Sequence, residues 1–119
     1  MSLVSVKKEV AHNTLRDARE VLGLSDAEIG LVVGANRRTV QRWWKQHTAP
    51  APEHQRQMER IREIVYLLRL LFRTPEAAQR WFHSPVPMLR DRTPVSLVQE
   101  GRADEVISVL AGLASGAHA

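Results

Sequence analysis

The sequence predicts an all-α fold in which an N-terminal helical unit is followed by a small helical C-terminal one. Three observations carry that expectation. Apolar residues recur at three- and four-residue spacing through most of the chain. Ser, Thr and Asn caps, with Pro at first helical positions, punctuate it. Nowhere is there a run of alternating β-branched residues long enough to make a sheet. The 119 residues leave room for one compact domain, or for two small units sharing a core. A composition of 44% hydrophobic and 25% charged residues is that of a globular chain. A large enzyme fold with its own substrate domain is excluded.

From Lys7 to Leu22 the apolar positions Val10, Leu15, Ala18, Val21 and Leu22 have helical period, and Gly23 stops the helix. Ser25-Asp26-Ala27-Glu28 is a capping box, so a short second helix runs to about Val33. Gly34 makes a turn, and Asn36 caps a third helix through Gln46 or His47. The prolines of Thr48-Ala49-Pro50-Ala51-Pro52 interrupt the helical pattern and place a linker there, dividing the chain into units 1–49 and 50–119. Alternatively, Pro52 opens the next helix.

That fourth helix, to about Arg73, carries Met58, Ile61, Ile64, Val65, Leu68, Leu71 and Phe72 on one stripe, widened by Tyr66, Leu67 and Leu70. So broad a stripe needs two surfaces to cover it. Thr74-Pro75 and Thr93-Pro94 repeat one helix-start device, a Thr cap with Pro at the first helical position. Gly101 ends the helix begun at Pro94. A last helix, from Arg102 or Ala103 to about Ser115, lines up Val106, Val109, Leu110 and Leu113 before Gly116 closes it.

Within Ile29 to Trp43 the sequence IGLVVGANRRTVQRW has the spacing of a helix-turn-helix. Gly30 is small where the second helix must approach the third. Ile29 and Val33 face the core, Gly34 turns, and Val40 and Trp43 pack the third helix back. The charge pattern agrees. Four of the 17 Lys and Arg, namely Arg37, Arg38, Arg42 and Lys45, lie between Asn36 and His47 with no acidic residue among them. The remaining 13 are matched by 13 Asp and Glu, so this window holds the whole net charge of +4. With Val40 and Trp43 inward, Arg37, Arg38, Gln41, Arg42 and Lys45 point largely outward. The candidate DNA-binding set is Asn36, Arg37, Arg38, Thr39, Gln41, Arg42 and Lys45. Arg and Gln can read guanine and adenine, and Lys or a helix N-terminus can hold phosphate. Trp44 is a packing residue of the core or of an interface.

Other chemistries find no support. The chain has no cysteine, which removes disulfides, zinc ribbons and thiol catalysis. Its five histidines show no metal-binding spacing, and no phosphate loop, dinucleotide fingerprint or nucleophile elbow appears. No enzyme, metal or cofactor is expected. Met1 to Val10 lacks a signal-peptide block, and the apolar run Ile64 to Phe72 is nine residues broken by Arg69, against the roughly 20 a membrane span needs. A cytoplasmic protein without a membrane partner is expected.

The second half, WFHSPVPMLRDRTPVSLVQEGRADEVISVL from Trp81 to Leu110, has a pattern that DNA binding does not explain. Its tryptophan, proline-flanked leucine, Thr-Pro helix start, leucine pair, glycine and final Val/Leu helix, together with the upstream helix-turn-helix, resemble the Xre/MbcA/ParS family of antitoxins from about residue 20 to the end. Many members have a Gly-Gly pair where this chain has Arg90-Asp91. The resemblance implies a C-terminal domain that neutralises a cognate RES-domain toxin, an enzyme that consumes NAD. It also implies binding of the operon's own promoter DNA and a homodimer within a hetero-oligomeric complex. Toxin contacts are then expected from Trp81, Leu89, Arg90, Arg92, Val109, Leu113 and His118, with the last helix and tail over the toxin's active-site cleft. A stand-alone helix-turn-helix transcriptional regulator is the alternative, and a protein-binding module that keeps the helix-turn-helix only as scaffold is a third reading. The uncovered stripe of the fourth helix suits a homodimer, a toxin complex or both.

Overall fold

The computed structural model describes residues 2–116, and among them all regular secondary structure is helical: α1 (Leu3–Glu20), α2 (Asp26–Val33), α3 (Arg37–Gln46), α4 (Pro52–Leu71), α5 (Pro75–Phe82), α6 (Pro94–Gln99) and α7 (Ala103–Gly116), with a 3-10 turn at Pro87–Leu89. None of these helices is long and apolar enough to cross a membrane.

The caps form as the sequence dictates. Ser25 accepts from the Glu28 amide while the Glu28 carboxylate accepts from the Ser25 amide, closing the capping box on α2. Asn36 accepts from the Thr39 amide at 2.8 Å to start α3. Thr74 and Thr93 do the same for α5 and α6, each followed by Pro at the first helical position.

Three boundaries differ from expectation. The first helix begins at Leu3 rather than Lys7, because Ser2 caps it by accepting from the Ser5 amide. Leu3, Val6 and Val10 are exposed, so the buried periodicity that marks the rest of α1 does not reach its first turns. The fourth helix stops at Leu71, with Phe72 already extended ahead of the Thr74 cap. Gly116 does not close α7 but lies within it.

The packing of α2 against α3 is closed by Ile29, Val33, Val40 and Trp43, all buried. Gly34 takes the left-handed conformation, φ 78°, that the turn requires. Gly30 is needed for a different reason than helix-to-helix approach: its carbonyl accepts from the Ala35 amide at 2.9 Å, and a Cβ there would collide with the Ala35 carbonyl oxygen. The turn folds back over α2, and only hydrogen fits between them.

A single hydrophobic core runs through both halves of the chain, from Leu15, Leu22 and Ile29 to Phe82, Leu97, Val106 and Leu110. Its centre is α4, which buries Met58, Ile61, Ile64, Val65, Leu67 and Leu68 and touches α1, α2, α5 and α7. At about 1.5–3 kcal/mol for each fully buried large aliphatic side chain, these six positions are a principal source of stability. Polar contacts reinforce the join. His54 Nδ1 donates to the Val33 carbonyl at 2.8 Å, Gln79 Nε2 to the Glu20 carbonyl at 2.7 Å, and His83 Nε2 to the Leu22 carbonyl at 2.6 Å. Arg69 forks onto Asp17 at 2.9 and 3.2 Å.

Two glycines separate steric need from helix propensity. Gly30→Ala is expected to lose roughly 1–3 kcal/mol by overpacking against the turn. Gly112→Ala, mid-helix in α7 with open space around its Cα, should gain about 0.5–1 kcal/mol. Urea denaturation of both variants checks this; equal effects would contradict the tight turn.

Candidate functional site

The first candidate surface is α3. Arg37, Arg38, Arg42 and Lys45 are exposed, Thr39 and Gln41 are half-buried, and Val40 and Trp43 are in the core. Asn36 is exposed, with its side chain committed to the Thr39 amide. Among the described residues none of the four cations makes an ion pair, whereas Arg19, Arg60, Arg69, Arg92 and Arg102 are each held by a carboxylate. Cations without a carboxylate partner keep their full charge for phosphate.

What holds α3 in place was only partly legible. Trp44 lies half-buried beneath the Arg19 guanidinium, 3.9 Å from its ring centroid, and donates through Nε1 to Asp26 at 3.3 Å. Asp26 in turn receives Arg19 at 2.7 Å. The edge of Trp44 meets His12 at 4.7 Å, and His12 stacks 4.1 Å from His47, the left-handed residue that ends α3. On the other side Trp43 meets His54 edge-on at 5.4 Å. Trp44 is thus a packing residue that bolts α3 to α1 and α2. Burial first, then the charges of His47 and Arg16, holds the His12 imidazole below its ordinary pKa of 6.5, against a smaller pull from Glu9.

The second candidate surface is built by the turn before α6. Val86 and Arg92 pair across it: the Val86 amide donates to the Arg92 carbonyl at 3.1 Å, and the Asp91 amide to the Val86 carbonyl at 3.0 Å. Closing so tight a loop forces Arg90 and Asp91 into the left-handed region, φ 57° and 62°. A side chain held in that region costs on the order of 1 kcal/mol.

The turn brings Leu89, Arg90 and Arg92 against Val109 of α7 around a cleft of about 460 Å³. Met88, Leu97, Arg102, Asp104, Glu105 and Ser108 complete its lining. Leu89 is buried, Arg90 is exposed, and Arg92 is tied to Glu100. Arg102 binds Glu105 and holds its carboxyl below the usual range. Four of the expected toxin-contact residues therefore converge. Trp81, half-buried with its ring 6.3 Å from Phe72, and Leu113, half-buried near the end of α7, do not line the cleft. His118 lies outside the described residues. Met88 was missed by sequence reasoning; it is 61% exposed at the cleft edge, whereas Leu89 beside it is buried, and the sequence alone does not separate the two. Among the described residues no three His, Cys, Asp or Glu side chains converge as metal ligands.

Residues 67–116, which contain the cleft, match the profile of the antitoxin Xre/MbcA/ParS C-terminal toxin-binding domain. The chain is 30% identical over 109 residues to the mycobacterial cidal antitoxin MbcA of Mycobacterium tuberculosis and of Mycobacterium bovis, covering 90% of this chain and 94% of the relative. It belongs to the Xre/MbcA/ParS antitoxin family. A probable mycobacterial cidal antitoxin of M. tuberculosis is 24% identical over 115 residues, with 97% of each chain covered. The crystal structure of the M. tuberculosis MbcT–MbcA toxin–antitoxin complex superposes with a TM-score of 0.69 at 25% identity, over 98% of this chain and 97% of that one. The relatives are named as antitoxins, and the likeness extends through the N-terminal half of the chain as well as the cleft half.

The His12 environment predicts a pH dependence. In the fold the imidazole is held neutral below pH 6.5, while the unfolded chain takes up a proton there. Its contribution to stability is present above pH 6.5 and is lost as pH falls toward the lowered folded value. Thermal unfolding from pH 7.5 to 5.5 should show a shallower loss for His12→Gln than for the wild type; parallel curves would rule the contribution out.

Proposed function

We propose that this chain is the antitoxin of a toxin–antitoxin pair: it binds and neutralises a cognate RES-domain toxin that consumes NAD, and it represses its own operon by binding promoter DNA. The observation that carries the first part is the match of residues 67–116 to a toxin-binding domain, the segment in which Leu89, Arg90, Arg92 and Val109 converge on a cleft. The RES fold and NAD chemistry of the partner follow from the family resemblance. Within the cleft the apolar floor of Leu89 and Val109 takes an apolar side chain of the toxin, and Arg90 at the rim meets its acidic surface. The α7 helix and the tail that follows it extend the contact.

The unpaired cations of α3 support the second part. In this reading Arg37, Arg38, Arg42 and Lys45 divide between phosphates and base edges, and Gln41 faces the groove. Two recognition helices related by a two-fold axis read half-sites about 34–36 Å apart, so the DNA-bound form is a homodimer within the larger toxin complex. The division at residues 49 and 50 is one of task and not of packing, with α4 serving both sides.

Co-expression with the neighbouring toxin gene, scoring growth and cellular NAD, tests the neutralisation. The wild type should restore both. Arg90→Glu with Val109→Lys should weaken toxin binding at least about tenfold, the loss of 1.4 kcal/mol or more typical of a hot-spot residue, while leaving DNA binding unchanged. Full protection by that double variant would remove the cleft from the toxin interface. Arrested growth with an unaltered NAD level would remove the NAD-consuming partner.

For promoter binding, Arg38→Ala and Arg42→Ala should each flatten the dependence of log affinity on log salt by about one unit if the side chain holds a phosphate. An unchanged slope in the double variant would take α3 out of the DNA interface.

A further inference from the structure

The histidines of the described residues divide by what holds them. His54 and His83 each hydrogen-bond a backbone carbonyl, of Val33 and of Leu22, and a further proton on either ring leaves that bond in place. His12 and His47 make no hydrogen bond among the described residues. They are held by stacking: His47 is the left-handed residue, φ 51°, that ends α3, and its ring lies 4.1 Å from that of His12 on α1, tilted by 31°. His12 also meets Trp44 edge-on at 4.7 Å.

We propose that this stacked pair is a pH-sensitive latch on α3: neutral imidazoles hold its last turn against α1, and acid, by charging both rings, releases it. The surrounding charges set the direction. On α1, Arg16 and Arg19 act on His12 from one side and Glu9 from the other, while α3 brings His47. From α2, Asp26 faces the cluster but is already engaged by Arg19 and by the Trp44 indole. Glu9, 3.9 Å from His47 Nε2, is therefore the one carboxylate open to the pair. A first proton finds it as a counter-charge. A second must sit beside a cation with Arg16 and Arg19 behind it, a like-charge contact that separation of the rings relieves. Burial works the same way, since it already disfavours the charged form of His12 in the closed arrangement.

The consequence for DNA rests on the promoter-binding reading above. Arg42 and Lys45 flank Trp44 on α3, so freeing Trp44 and His47 loosens the seat of both cations. Acid makes the chain more cationic, which by itself strengthens attraction to DNA. The latch predicts the opposite sign.

The test follows the full chain by NMR from pH 7.5 to 5.5, with and without the promoter duplex. In the free protein the exchange protection of the Trp44 indole N–H, taken relative to a free indole, should fall by up to about tenfold per pH unit below 6.5, the limit for uptake of one proton. His12→Phe, which keeps a ring against Trp44 but cannot take a proton, should abolish that fall. His47→Asn, a residue that tolerates the left-handed conformation, should move the titration of His12 upward toward 6.5. Equal indole protection at both ends of the range, or a His12 titration unmoved by His47→Asn, would overturn the latch. Were His12→Phe misfolded, the His47→Asn titration, at an exposed position, would still decide. With DNA, the affinity of the wild type should fall on acidification while that of His12→Phe rises. A rise in both would overturn control of DNA by the pair. No DNA binding at any pH, with Trp44 still released by acid, would overturn the promoter-binding reading and leave the latch standing.

Discussion

Everything in this molecule depends on the burial of one helix by both halves of the chain. α4 buries Met58, Ile61, Ile64, Val65, Leu67 and Leu68, against elements from both halves of the chain. The N-terminal helices α1 and α2 take one side and α7 the other, so Ile61, Ile64 and Leu68 lie in contact with neither solvent nor a boundary between domains. The N-terminal unit of α1, α2 and α3 is not an independent module tethered by a proline linker. Its inner face is completed by α4, and three of its main-chain carbonyls, at Glu20, Leu22 and Val33, are satisfied by side chains from beyond residue 50. The Val33 and Leu22 contacts are partly buried, and a net hydrogen bond contributes about 0.5–1.5 kcal/mol, so losing them on separation is unfavourable.

This arrangement shapes how two candidate surfaces fit into 119 residues. An exposed helix of ten residues such as α3 cannot supply a rigid base alone. The base comes from Trp43 in the core and from the Arg19, Trp44, Asp26 and His12 cluster on the flank. The cleft likewise depends on a support, the tight turn from Val86 to Arg92, where two non-glycine residues are kept left-handed by cross-turn hydrogen bonds. In both places strain or exposed charge at the surface is stabilised by packing behind it.

The fold was legible in the sequence wherever a local device determined it. Ser25, Asn36, Thr74 and Thr93 marked helix starts because capping is decided by the few residues that follow. The stripe on α4 announced its burial through period alone. The start of α1 was not legible, because Leu3 and Val6 are exposed and extend no buried stripe, and Val10, read as part of the helical period, is exposed as well. The reason for Gly30 was misread, since contact with the Ala35 carbonyl is a property of backbone geometry and not of residue spacing. Of the candidate sites, α3 could be read from charge arithmetic, while the convergence of Arg90, Arg92 and Val109 needed the turn that only the fold supplies. Trp81 and Leu113 showed pattern without position: their types suited contact, but the cleft does not include them.

The central claim is that both halves form one cooperative unit around α4. Native-state hydrogen exchange measures this directly, because amides that open only by global unfolding share one free energy. The account predicts that the slowest amides of α2, α4 and α7 exchange with the same opening free energy and respond equally to denaturant. A lower, separate value for the α2 and α3 amides, with α4 and α7 still protected, would contradict it and make the helix-turn-helix an independent domain.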